Sequence, residues 1–265
     1  MPQINSFRDL NTLVESFTQR DGQLVFAYST FSFFDADGVA FFGQSPIRKN
    51  SLSLTDIETS LKQIPDEELY PTAPPGITSV SITSQKDFYI KRPDMKVYEE
   101  MVGTDVLTKL ILDEAEVLEI LKRNPHANIV GYHGCLVKQG RIIGLVLDRY
   151  PTTLEDKVKK GVSTLQIKSY MNAIRSVVKH LHSIGLAHND LNPANIMLDE
   201  HDVPFIIDFG SCQPFGKILI SGGTPGWMGE EFRTSEQWHD EIGLDKIEAW
   251  MEEQSASYPK EPIVA

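Results

Sequence analysis

Two short apolar runs, Ile196-Met-Leu198 and Phe205-Ile-Ile207, lie on either side of a polar turn, and this pattern limits the fold more than any other in the chain. Runs of that length joined by a turn read as a strand pair. Asp190 and Asn195 stand just before the first run and Asp208 directly after the second. The pairing would therefore bring hard oxygen donors to the ends of adjacent strands, where a shared cation requires them.

The rest of the chain bounds what surrounds that pair. With 265 residues, 41% of them hydrophobic, it can bury one large core or two modest ones. The first ten residues lack the apolar stretch of a signal peptide, and no stretch is long enough to span a bilayer. A soluble, intracellular and specifically cytoplasmic protein is expected, with no membrane partner. The two cysteines, Cys135 and Cys212, have no metal-ligand spacing and read as buried thiols of a reducing compartment. A net charge of −12 repels polyphosphate backbones, and pairs such as Arg48-Lys49 are too isolated to bind nucleic acid. An anionic ligand must be held locally, as a metal–nucleotide complex would be.

Along the chain, Phe7, Leu10, Leu13, Val14 and Phe17 recur at helical spacing and predict a helix over 6–18. Leu24–Tyr28 and Val39–Phe42 flank the turn Asp35-Ala-Asp-Gly38 and predict a strand pair. That turn resembles a calcium loop only at its start, because Pro46 stands where the bidentate glutamate belongs. Ser53, with Asp56 three residues on, caps a second helix. Four prolines and Gly76 over Pro65–Gly76 predict an irregular linker, with a boundary near residue 75. Beyond it come a strand over Asp87–Arg92, a helix over Thr104–Arg123, strands over Asn128–Gly134 and Ile142–Leu147, a short helix capped by Thr153, and a long helix over Thr164–His182. A last helix carries Leu244, Ile247, Trp250 and Met251. Strands that mostly precede helices indicate an α+β protein.

Transfer of a γ-phosphoryl group needs a carboxylate to orient the acceptor hydroxyl and oxygen ligands that hold magnesium against the phosphates. Asp190 suits the first role, and Asn195 and Asp208 the second. In His188-Asn-Asp-Leu-Asn-Pro-Ala-Asn195 and Asp208-Phe-Gly210 the chain resembles the protein kinases, whose catalytic loop is His-Arg-Asp-x-x-x-x-Asn and whose metal motif is Asp-Phe-Gly. Asn195 follows Asp190 by five residues and precedes Asp208 by thirteen, as in that family. Upstream, Lys91 ends Phe88-Tyr-Ile-Lys91 and matches the strand lysine that grips the α- and β-phosphates; Glu114 matches the helix glutamate that orients it, with Glu116 as the fallback. Pro125-His-Ala-Asn-Ile-Val130 is similar to a family junction. Leu145-Val-Leu-Asp-Arg-Tyr150 is similar to the hinge that binds adenine through its backbone, with Leu147 as gatekeeper. The resemblance implies nucleotide contacts at Lys91, Leu147, Asp148, Tyr150 and Met197. Gly223-Thr-Pro-Gly-Trp-Met-Gly-Glu-Glu231 resembles the end of an activation segment, which would carry Thr224 toward the catalytic loop and make Glu231 the final glutamate. Small-molecule kinases generally lack that segment.

The resemblance covers about residues 80 to 250 and departs from the family in four ways. Ile77–Thr83 has no glycine-rich loop, Tyr89 stands where the family has alanine, Asn192 replaces the lysine after the catalytic aspartate, and only 34 residues follow Glu231. Loss of the lysine removes a positive charge from the developing transition state, so slow turnover is expected. Asn189 also replaces the loop arginine that would pair with a phosphorylated segment, and Asp240 is placed to anchor the loop from below.

The resemblance implies an α+β, bilobal kinase-like fold: an N-terminal extension over 1–75, a small sheet-rich lobe over 76–147 and a truncated helical lobe over 148–265. It implies ATP- and Mg²⁺-dependent transfer to serine or threonine hydroxyls of a protein or peptide, carried by Asp190, Lys91, Glu114 and Asn192. The alternatives are a catalytically weak or inactive pseudokinase acting as a binding module and, third, a small-molecule kinase.

Overall fold

The computed structural model describes residues 2–82, 87–229 and 232–256. By contact the chain divides into two compact units, 1–75 with 91–112 and 136–144, and 76–90 with 113–135 and 145–265.

The first unit opens with a one-turn helix at Phe7–Asp9 and then a strand, β1 (Thr12–Arg20), where the spacing predicts a helix. β1 pairs with β2 (Gln23–Phe34) through the two-residue turn Asp21-Gly22, both residues at positive φ (50° and 79°). A primed turn of this kind twists with the strands it joins, and Asp-Gly is among its preferred sequences. The register shifts between Ser16 and Phe17, so Ala27 bulges out opposite them. The helical spacing of 6–18 joins positions from two elements: Phe7 lies in the one-turn helix and Leu10 just after it, while Leu13, Val14 and Phe17 lie on β1. β3 (Ala40–Ser45) pairs with β2 as expected, and β4 (Lys62–Gln63) completes the order β1-β2-β3-β4. Asp35 Oδ1 accepts the N–H groups of Asp37 and Val39, which closes the loop between β2 and β3 as a turn.

α1 (Leu54–Ser60) carries the expected cap, Ser53 bonding to Asp56 N and Asp56 returning to Ser53 N. The segment expected to be an irregular linker instead holds α2 (Asp66–Leu69), and Leu69 and Tyr70 are fully buried. Its prolines stand outside the helix, Pro65 at the N-cap and the others beyond Tyr70, so none removes one of its hydrogen bonds. Tyr70 Oη donates to Gly38 O at 2.6 Å, and Arg141 Nη1 donates to Tyr70 O at 2.9 Å. Ala40, Ile64, Leu69 and Tyr70 form one core cluster with Met95 and Leu107. At about 1.5–3 kcal/mol for each large side chain buried, this cluster makes 1–75 integral to the unit.

Next along the chain come β5 (Phe88–Lys91), α3 (Tyr98–Met101), α4 (Val106–Arg123), β6 (Tyr132–Lys138) and β7 (Arg141–Asp148). The three strands form a sheet in the order β5-β7-β6. The strand expected at Asn128–Gly134 starts later, because Ile129 is diverted into a single parallel bridge with Ile206.

The second unit continues with β8 (Thr152–Thr153), α5 (Leu154–Val158), capped by Thr153, and α6 (Thr164–Ser183), capped by Ser163. β9 (Leu186–Ala187), β10 (Ile196–Leu198), β11 (Pro204–Ile206) and β12 (Gln213–Pro214) follow, and α7 (Gln237–Ala256) comes last. β10 and β11 are the expected antiparallel pair, with β8 on the other side of β10, while β9 pairs with β12. α6 buries Ile167, Tyr170, Met171, Ile174, Val177, Val178 and Leu181 and packs against α7, β9 and β11. Among the described residues no helix is long and apolar enough to cross a membrane, and both cysteines are free and buried.

Candidate active site

The loop from His188 to Asn195 leaves β9 and is fixed from α7. Asp240, fully buried, accepts His188 N at 2.9 Å and Asn189 N at 2.8 Å, and also the His182 Nε2 proton at 2.9 Å. A buried carboxylate bonded three times is well satisfied, and it holds two successive amides in one orientation. Asn189 takes a positive φ of 64°, a conformation asparagine tolerates better than most residues. Its Nδ2 is shared among Ala187 O, Ser211 O and Ser235 Oγ at 2.9–3.0 Å, and its Oδ1 accepts from His239 Nδ1 at 2.9 Å. A neutral amide thus joins four parts of the chain where the family has an arginine.

His188 is buried, donates from Nε2 to Ile207 O at 3.2 Å and packs against the Phe209 ring. Asp190 is half-buried. Its Oδ1 accepts Thr224 N at 2.7 Å and Asn192 Nδ2 at 3.1 Å, while Oδ2 accepts Asn195 Nδ2 at 3.0 Å. Asn192 also caps the turn Pro193–Asn195, where its Oδ1 accepts Ala194 N and Asn195 N. Thr224 therefore reaches the catalytic loop as expected, through its main-chain N–H and through an Asn192 Nδ2 bond to its hydroxyl at 3.2 Å.

Asn195 turns Nδ2 toward Asp190, which directs its amide oxygen elsewhere. Its main-chain oxygen accepts Ile207 N at 3.0 Å, so Asp208 begins one residue beyond a cross-strand bond to Asn195. Asp208 sits at φ 59°, and its Oδ1 accepts Gly210 N at 3.2 Å. A non-glycine residue held there signals a constraint imposed by its surroundings. Glu114, on α4, is 4% exposed, and its Oε1 accepts Phe209 N at 3.0 Å; Glu116 is exposed. Among the described residues no group of three or more His, Cys, Asp or Glu side chains is arranged to hold a cation. The donor set of one carboxylate and one amide oxygen still fits Mg²⁺, which keeps water and phosphate oxygens in most of its octahedron.

The residues implied for nucleotide contact lie on β5, β7, the segment after it, and β10. Leu147 is buried, and Met197 is half-buried and faces Phe205 across the strand pair. The Tyr150 ring stacks on Phe205 at 4.4 Å and 18°, so Tyr150 and Met197 share one neighbour. Asp148 directs its carboxylate to His133 Nε2 at 2.7 Å, and its N–H donates to Gly131 O. Lys91 closes β5 and is half-buried; it belongs to the first unit and the other site residues to the second. Tyr89 is 52% exposed. Glu231 and Thr83 lie outside the described residues.

Sequence reasoning missed three participants. Ser235 and His239 complete the Asn189 network, and Gln213 donates to the buried Asp113 at 3.2 Å. The available signal was the position of His239 immediately before Asp240 on one helix. Burial keeps the Cys212 thiol well above its ordinary pKa, so it stays neutral among these groups.

Residues 79–242 match the model of the protein kinase domain. Similar proteins include cyclin-dependent kinase 7 of Xenopus laevis, 32% identical over 125 residues, 46% of this chain and 34% of that protein. Mitogen-activated protein kinase kinase kinase 3 of Mus musculus is 30% identical over 130 residues, 45% of this chain and 21% of its own length. Serine/threonine-protein kinase D of Synechocystis is 27% identical over 145 residues, 54% and 28%. The matches thus span about a third or less of these relatives. With the family model covering more than half of the residues and an α+β fold around the Asp190–Asp208 loops, the chain belongs to the protein kinase domain family.

Proposed function

We propose that this kinase domain transfers the γ-phosphoryl group of Mg²⁺-ATP to serine or threonine hydroxyls of a protein or peptide. The observation that carries the reading is the Asp190 carboxylate, set between the Thr224 amide and the Asn195 side chain on a loop fixed by Asp240. Asp190 orients the acceptor hydroxyl and receives its proton. Asn195 and Asp208 hold the magnesium ion, which supplies charge neutralisation on the phosphates. Lys91 binds the α- and β-phosphates, Glu114 orients it, and Leu147, Asp148, Tyr150 and Met197 form the nucleotide's surroundings. The Ser/Thr class of the acceptor is supported by Asn192-Pro193 and Thr224-Pro225 in the two loops.

A second reading, a binding module with little or no transfer, is favoured by one specific observation. Three protein donors already occupy Asp190, two on Oδ1 and one on Oδ2, so of the about four acceptor positions of a carboxylate little is left to orient a substrate hydroxyl. The two readings share the nucleotide site, and its test comes first. Mg²⁺-ATP should raise the melting temperature of the wild type, because a ligand bound only to the folded state stabilises it. Asp208→Asn, which keeps the shape and loses the charge, should abolish the shift. A shift of equal size with EDTA present, or in Asp208→Asn, would contradict the metal site.

A further inference from the structure

One face of α7 meets two different loops. Asp240 holds the amides of His188 and Asn189, and a Cβ on Gly243 would lie 2.8 Å from Leu191 Cβ, so the helix approaches the catalytic loop closely there. One turn further, Lys246 Nζ donates to Gly226 O at 3.0 Å and to Met228 O. One more turn on, the Trp250 ring meets Trp227 edge to face at 5.7 Å. Positions 240, 243, 246 and 250 are the spacing of a single helix face.

The loop held by Lys246 is a tight turn. Thr224 O accepts Trp227 N at 3.0 Å and Met228 N at 3.2 Å, and Gly226 turns the chain at φ +90°. At its leading end Thr224 N donates to Asp190 Oδ1 at 2.7 Å. The carbonyls of Gly226 and Met228 belong to no helix or strand. An ammonium with three donors can serve both at once, and such charge-assisted bonds are stronger than neutral ones.

We propose that Lys246 is a positioning residue for transfer to a protein hydroxyl: it ties the Thr224–Met228 turn to the helix that also holds the catalytic loop, and so sets where the turn stands against Asp190. The inference rests on the phosphoryl-transfer reading above and deepens it. Without the ammonium the turn keeps its own two bonds and the Trp227–Trp250 ring contact but loses its hydrogen-bonded link to α7, and the Thr224 amide moves relative to the carboxylate. Nucleotide binding, which involves neither the turn nor Lys246, is unaffected.

The test uses the full chain with dephosphorylated casein as acceptor and compares wild type, Lys246→Met and Lys246→Arg. The readouts are kcat and KM for casein, the Mg²⁺-ATP thermal shift, and amide hydrogen exchange at Thr224 and Trp227. Lys246→Met should lower kcat about tenfold or more, as small misplacements of reacting groups do. Its Mg²⁺-ATP shift should stay unchanged, exchange at the Thr224 amide should quicken while that at Trp227 stays slow, and Lys246→Arg should recover most of the rate. If Lys246→Met does not fold, Lys246→Gln takes its place with the same expected split. Transfer by Lys246→Met equal to wild type, or a parallel loss of rate and nucleotide binding that arginine does not rescue, overturns the inference alone. A wild type that binds Mg²⁺-ATP but transfers nothing removes the phosphoryl-transfer reading, and the inference with it.

Discussion

Glu114 Oε1 accepts the main-chain N–H of Phe209 at 3.0 Å, and both residues are buried. The bond ties α4 to the residue that follows Asp208, so the helix and the turn proposed to bind the metal hold each other. Glu114→Ala would leave the Phe209 amide without that partner, at a cost of about 1–3 kcal/mol. Glu114→Gln retains an acceptor oxygen and should cost less. Chemical denaturation with and without Mg²⁺-ATP checks this: the alanine variant should lose both stability and nucleotide stabilisation, the glutamine variant less of each. Equal behaviour of the two variants would mean that the bond contributes little.

His239 gives the site a pH dependence of defined sign. Burial depresses its pKa below the ordinary imidazole value, while Asp240 and Glu236 oppose the shift. A neutral ring can donate its Nδ1 proton to Asn189 Oδ1, and among the described residues Nε2 has no hydrogen-bond partner that could stabilise a second proton. Because the unfolded chain binds that proton more readily, the contribution to stability is complete above about pH 6.5 and falls as the pH drops through that value. Between about pH 7.5 and 5.5 the wild-type melting temperature should therefore fall further than that of His239→Gln. Parallel curves would contradict this assignment.

Tyr70 tests whether residues 1–75 are separable. Its ring is fully buried in the first unit, and its hydroxyl donates to Gly38 O at 2.6 Å. Tyr70→Phe should destabilise by about 1–2 kcal/mol, since the Gly38 carbonyl loses its donor. Removal of 1–75 should give an insoluble or molten product, because Met95 and Leu107 would lose their cover. A monomeric, cooperatively melting 76–265 fragment would show that the extension is dispensable.

How much of this was legible depended on whether the determining interactions were local. The Ser53 and Thr153 caps, the β10–β11 pair and the spacing of Asp190, Asn195 and Asp208 are set by residues within a few positions of each other. The β1–β2 hairpin was misread because apolar positions of the one-turn helix and of β1 together fall at helical spacing, although Asp21-Gly22 marked the turn. The supposed linker was misread because its prolines suggested irregularity, whereas distant partners such as Gly38, Arg141 and Met95 decide its burial. Asn192 illustrates the same limit within the site. Its identity shows that a positive charge is missing, but its cap on Ala194 and Asn195 and its bond to Asp190 appear only in the fold.

The most direct test of the central claim is phosphoryl transfer by Asp190→Ala compared with wild type, with the Mg²⁺-ATP thermal shift measured on the same preparations. A positioned catalytic base contributes about 10²- to 10⁴-fold, yet the nucleotide is held mainly by other residues. The account predicts that Asp190→Ala loses transfer to casein by at least about a hundredfold while keeping most of the thermal shift. Transfer that survives in Asp190→Ala, or a wild type that binds Mg²⁺-ATP and transfers no more than this variant, would contradict it.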